Sequence, residues 1–153
     1  MNRDTLKQIM IDQKTIYLDN LFITRHYPLE ENVNYCFVGI RRTGKSYIMY
    51  QQIKQLLQTG VPLSQIVYVN FEDERLLEMT SDDLNTILEI GLELSGTENR
   101  PYLFLDEIQN ITGWEKFVRR IADMKYKINI TGSNSKMLSR EIASTLGGRF
   151  VIM

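Results

Sequence analysis

The chain has 153 residues and a mass of 17.9 kDa, with 18 Lys and Arg against 19 Asp and Glu. That near-neutral balance excludes a general polyanion binder, and 43% apolar with 24% charged residues excludes a disordered chain. One cysteine excludes a disulfide framework or a multi-cysteine zinc site, and no apolar run approaches the roughly 18 residues of a membrane span, so a cytoplasmic setting is expected.

Asp4 to Tyr17 has loose helical periodicity through Leu6, Ile9, Met10 and Ile16. Asn34 to Val38 is a short apolar run of strand composition, and it leads directly into Gly39-Ile40-Arg41-Arg42-Thr43-Gly44-Lys45-Ser46. A helix is expected over Lys45 to Thr59, with Ile48, Ile53, Leu56 and Leu57 on its apolar side and Gly60 closing it. Ile66 to Phe71 reads as a second strand, followed by Glu72-Asp73-Glu74. Asp82 to Ser95 is a helix capped by Thr80 or Ser81. Tyr102 to Leu105 is a third strand running into Asp106-Glu107. Thr112 and Glu115 have capping-box spacing before a helix whose Trp114, Phe117, Val118 and Ile121 recur on one face. Lys127 to Thr131 is a fourth strand ending in Gly132-Ser133-Asn134. Ser135 can cap a helix over Lys136 to Leu146, and a fifth strand begins at Arg149.

Strands alternating with helices of this length predict an α/β fold, a three-layer sandwich with a mainly parallel sheet. Right-handed crossovers put the C-terminal ends of its strands on one edge, where ligands bind in such folds. The groups after each strand are therefore expected to meet.

Gly39 to Ser46 fits G-x-x-x-x-G-K-[S/T] between an expected strand and an expected helix. Two glycines let the loop turn its amides inward toward phosphate oxygens, and the following helix adds its unpaired N–H groups. Lys45 supplies a mobile cation and Ser46 a hard hydroxyl suited to Mg²⁺. The expected cradle is Gly39, Arg41, Arg42, Thr43, Gly44, Lys45, Ser46 and Tyr47, with ATP as ligand. Asp106 at the third strand end is the candidate metal carboxylate beside Ser46, in the Walker-B role. Glu107, one residue further, is the candidate base for the attacking water. Ser133 and Asn134 are candidates for sensing the γ-phosphate from the fourth strand.

The segments GIRRTGKS, YLFLDEIQNITGWEKFVRRI, ITGSNS and LGGRF resemble the bacterial and archaeal AAA+-like P-loop ATPases whose N-terminal ATPase domain precedes a C-terminal domain of poorly defined function. The resemblance covers about residues 30–153. It implies a P-loop NTPase fold, ATP and Mg²⁺ binding, hydrolysis, and Glu107 as the catalytic carboxylate. It also implies a fourth strand lying between the first and third, and it makes Arg149 a candidate for contacting phosphate across a subunit boundary. Family members run longer, so the chain is expected to be truncated at its C-terminus.

The whole chain is expected to form one domain, with 1–30 an N-terminal helix and approach segment and 31–153 the nucleotide-binding core. The expected partners are ATP or ADP, a second copy of the chain, or the missing C-terminal domain. Residues 56–115 carry 12 acidic and 2 basic side chains, and residues 116–153 carry 8 basic and 2 acidic. These blocks read as solvated surface, so nucleic acid is not favoured as a partner. Cys36 reads as a core thiol. The alternative to hydrolysis is a nucleotide-gated switch that turns over negligibly. A small-molecule phosphotransferase is disfavoured, because no arginine-rich lid is visible.

Overall fold

The computed structural model describes residues 1–21, 29–30, 33–39, 44–96, 99–133, 144 and 146–153. Helix α1 (Arg3–Asp19) comes first, then β1 (Tyr35–Gly39), α2 (Lys45–Gln58), β2 (Ile66–Asn70), α3 (Ser81–Ser95), β3 (Tyr102–Asp106), α4 (Trp114–Asp123), β4 (Lys127–Ser133) and β5 (Val151–Ile152). All strands pair parallel in the order β2-β3-β4-β1-β5, so β4 lies between β1 and β3 as the resemblance implies.

Strand parity divides the interior into two layers. Val67, Val69, Leu103, Leu105, Ile128 and Ile130 face α3 and α4, where Leu84, Ile87, Trp114, Phe117, Val118 and Ile121 pack against them. Ile66, Tyr68 and Phe104 face the other way, onto Met49, Tyr50 and Ile53 of α2. The same parity puts Asp106, two residues beyond Phe104, and Thr131, two beyond Asn129, on the α2 side of the sheet. Helix α1 crosses the β2 edge. Leu6, Ile9 and Met10 enter the first layer, and Tyr17 enters the second. The Gln13 amide grips β2 from this edge, accepting from Asn70 N–H at 2.8 Å and donating to Asn70 C=O at 3.0 Å.

Two expected local features take a different form. On α2, Ile53 is buried and Leu56 and Leu57 pack half-buried against the same layer as expected, but Lys45, Met49 and Tyr50 share that buried face and Ile48 is only half-buried. Helix α4 starts one residue late for the expected capping box. Gly113 is its N-cap at φ 82°, so Thr112 lies outside the helix and Glu115 in its first turn. Thr80 rather than Ser81 caps α3, in a reciprocal box with Asp83. Gly60, at φ 102°, ends α2 in a paired motif, with its own N–H on Leu57 C=O and that of Val61 on Leu56 C=O. The expected helix over Lys136 to Leu146 falls largely outside the described residues.

Candidate functional site

The site is assembled at the C-terminal edge of the sheet. Gly44 caps α2 at φ 89°, a left-handed geometry that glycine adopts without a Cβ penalty. It aims the first turn of the helix, with Lys45 and Ser46, back over the strand ends. The Lys45 ammonium is buried and donates to Gly39 C=O at 3.1 Å and Gly132 C=O at 3.0 Å, bridging the ends of β1 and β4. It also forms an ion pair with Glu107 Oε1 at 3.1 Å.

Asp106 is 0% exposed. Ser46 Oγ donates to its Oδ2 at 2.5 Å, Tyr68 OH donates to the same oxygen at 2.6 Å, and Thr131 Oγ1 donates to Oδ1 at 2.6 Å. Burial pushes the Asp106 carboxyl above its ordinary value, against these three hydroxyls, which favour the charged form. Burial likewise raises the Tyr68 phenol, which keeps it a donor.

Glu107 follows at φ 57°, ψ 45°, which ends β3 sharply and swings its side chain toward Lys45. Its N–H donates to Thr131 Oγ1 at 2.9 Å, so one hydroxyl serves both acidic residues. Gln109 Nε2 donates to Glu107 Oε2 at 2.7 Å, and Ser133 Oγ donates to the same oxygen at 3.3 Å. The Gln109 Oε1 is buried with no hydrogen-bond partner among the described residues. Lys45, Ser46, Asp106, Glu107 and Ser133 thus meet in one cluster, together with Tyr68, Thr131 and Gln109.

The model for the AAA domain family matches residues 31–153. The chain belongs to the AAA domain family. It is 41% identical over 153 residues to an uncharacterised protein of Methanocaldococcus jannaschii, covering 92% of this chain and 33% of that protein. It is 35% identical over 115 residues to an uncharacterised protein of Haemophilus influenzae, covering 74% of this chain and 28% of that one. The chain therefore spans about a third of the length of these curated relatives. Among solved structures it is similar to Hsp104 in a closed state with ATPγS and FITC-casein. That match has a TM-score of 0.52 at 16% identity, over 99% of this chain and 28% of the other. The likeness shows the fold, an AAA+ P-loop architecture, and the family makes this an ATPase-type nucleotide-binding domain.

Within this AAA domain the expected site residues fall into four groups. Gly39, Gly44, Lys45, Ser46, Asp106, Glu107 and Ser133 lie at the cluster. Tyr47 is on the first turn of α2 but 45% exposed, with its ring edge-on to Tyr50. Arg41, Arg42, Thr43 and Asn134 lie outside the described residues. Arg149 is not brought to the cluster of its own chain. It precedes β5, whose Val151 pairs with Tyr35 at the start of β1, so it sits at the opposite edge of the sheet. There its Nε donates to Asp123 Oδ1 at 2.6 Å. Nothing in the sequence singles out Tyr68, and the sequence assigns no individual role to Gln109 in the Asp-Glu-Ile-Gln segment or to Thr131 at the fourth strand end. Only the strand register, which sets Asn70 beside Asp106 and Leu105 beside Ile130, brings Tyr68 and Thr131 to that carboxylate. No helix among the described residues is long and apolar enough to cross a membrane.

Proposed function

We propose that this domain binds ATP with Mg²⁺ and hydrolyses it to ADP and phosphate. The observation that supports it is the pairing of Ser46 with Asp106, 2.5 Å apart, beside the pairing of Lys45 with Glu107, 3.1 Å apart, at the end of one helix and one strand. The donor set fits Mg²⁺: a hydroxyl and a buried carboxylate are hard oxygen ligands of the kind this ion takes, usually in part through water. When bound, Mg²⁺ would neutralise charge on the β- and γ-phosphate oxygens.

The protein groups carry the remaining work. Lys45 exchanges Glu107 for phosphate oxygens, so arrival of the polyanion frees the carboxylate. Glu107 takes a proton from water as the water oxygen bonds to the γ-phosphorus and the bond to the bridging oxygen breaks, leaving ADP. Ser133 holds Glu107 before the exchange, and it reaches the γ-phosphate with Asn134. Gly39, Arg41, Arg42, Thr43, Gly44 and Tyr47 complete the cradle in this reading. Arg149, on the far edge, serves the nucleotide of a second copy.

Calorimetric titration and phosphate release test the reading. Lys45→Ala is expected to abolish ATP binding. Glu107→Gln is expected to keep binding while turnover falls by at least about 100-fold. A Glu107→Gln variant that hydrolyses at the wild-type rate removes Glu107 from its role.

The ion pair itself favours a second reading. Glu107 is tied to Lys45, Gln109 and Ser133, which suits a switch that senses nucleotide without turning it over. Steady multiple turnover by the 153-residue chain dismisses that reading.

A further inference from the structure

A carboxylate offers about four lone-pair sites, and three of those on Asp106 are filled by hydroxyls. Both sites on Oδ2 are taken, by Ser46 and Tyr68, and among the described residues one site on Oδ1 remains beside Thr131. Ser46 and Thr131 belong to segments with a recognisable pattern. Tyr68 comes from the middle of β2 and belongs to none.

The Tyr68 ring is fixed from two sides. Tyr17 of α1 meets it edge-on at 5.3 Å between centroids, and Tyr50 of α2 lies at 5.5 Å. Two residues on, Gln13 of α1 holds both main-chain groups of Asn70. Tyr68 has one hydroxyl proton, and at 2.6 Å it belongs to Asp106. The Tyr50 hydroxyl, 3.4 Å away, therefore donates to the Tyr68 oxygen. The phenol is thus committed to the carboxylate and locked in place by residues from two helices, one of which lies outside the segment matched by the family model.

We infer that Tyr68 is a positioning residue for the metal-site carboxylate, occupying the second site on Oδ2 so that Asp106 is held in one orientation with a single site left for the ion's shell. The inference rests on the Mg²⁺–ATP reading above, and it adds a residue that acts through Asp106 without touching substrate. A tyrosine present only for packing would be replaced by phenylalanine at no loss to the metal.

The test is ATPγS binding to the full chain by calorimetry, in EDTA and across an Mg²⁺ titration, for wild type, Tyr68→Phe and Tyr50→Phe. Tyr68→Phe is expected to bind ATPγS in EDTA as wild type does, but to need about tenfold more Mg²⁺ for the metal-dependent gain. Tyr50→Phe is expected to shift the Mg²⁺ curve by no more than about twofold, since its hydroxyl reaches Asp106 only through Tyr68. Superimposable wild-type and Tyr68→Phe curves, with a clear metal-dependent gain in wild type, overturn the inference alone. Equal weakening in EDTA and in Mg²⁺ also overturns it, because that is the mark of a packing residue. A wild type that gains nothing from Mg²⁺ overturns the inference together with the ATP reading beneath it.

Discussion

Glu107 holds a left-handed backbone that costs a residue with a Cβ about 1–2 kcal/mol. The conformation persists because its surroundings over-determine it. Its N–H is on Thr131, its C=O accepts from Asn110 Nδ2 at 3.1 Å, and its carboxylate is held by Lys45 and Gln109. Thr131 is the hinge of this arrangement, so Thr131→Val is a sharp test. Valine fills the same space but leaves a buried N–H and a buried carboxylate oxygen each short of a partner. The expected loss is about 2–4 kcal/mol in urea unfolding, with Thr131→Ser recovering most of it. Lys45, Ser46, Asp106 and Glu107 were legible in the sequence because local spacing places them: a glycine-bent loop before a helix, and acids directly after an apolar strand. Tyr68 was not, since its bond to a carboxylate 38 residues away exists only once β2 and β3 are in register.

At the scale of elements, α3 shows how packing overrides propensity. Gly91 sits mid-helix, where alanine would favour the helix by about 1 kcal/mol. A Cβ there would lie 2.8 Å from Val67 Cγ2 and 3.3 Å from Pro101 Cγ, and Val67 is buried and stiff at χ1. Overpacking costs about 1–3 kcal/mol, so Gly91→Ala is expected to lower stability despite its helix preference, as thermal unfolding would register. The link between α1 and the loop after β2 predicts a pH effect. Arg75 beside Asp73 lowers that carboxyl to about 2 from 3.8. A depressed carboxyl stabilises the fold above its ordinary value and ceases to do so as pH falls through about 2. Asp73→Asn should therefore lower Tm by about 2 °C or less at pH 7, and the gap to wild type should close on acidification toward pH 2. The strands and most helices were legible because apolar parity and periodicity reflect burial directly. The α2 face is legible through Ile53, Leu56 and Leu57, but not in its contribution from Lys45 and Tyr50, residues that hydropathy assigns to water.

For the molecule as a whole, the placement of Arg149 separates two kinds of chemistry. It is paired with Asp123 at the edge where the strands begin, while the Asp106–Glu107 cluster lies where they end. If Arg149 serves a second copy, phosphate release per chain rises with protein concentration. Arg149→Ala should flatten that rise without weakening ATP binding. A rate independent of concentration in the wild type would exclude the role. The sheet order followed from a family resemblance and could not be derived from spacing, because which strand neighbours which is decided by packing among distant segments. Helix α1 was legible only as a helix that must pack somewhere, and its course across the β2 edge has a consequence for motion. Terminal helices ordinarily fray first. This one contributes Leu6 and Ile9 to one apolar layer and Tyr17 to the other, so it cannot peel away without wetting both. Its amide protons should accordingly trade with deuterium as slowly as those of the central strands, making the first helix among the last parts of the molecule to let solvent in.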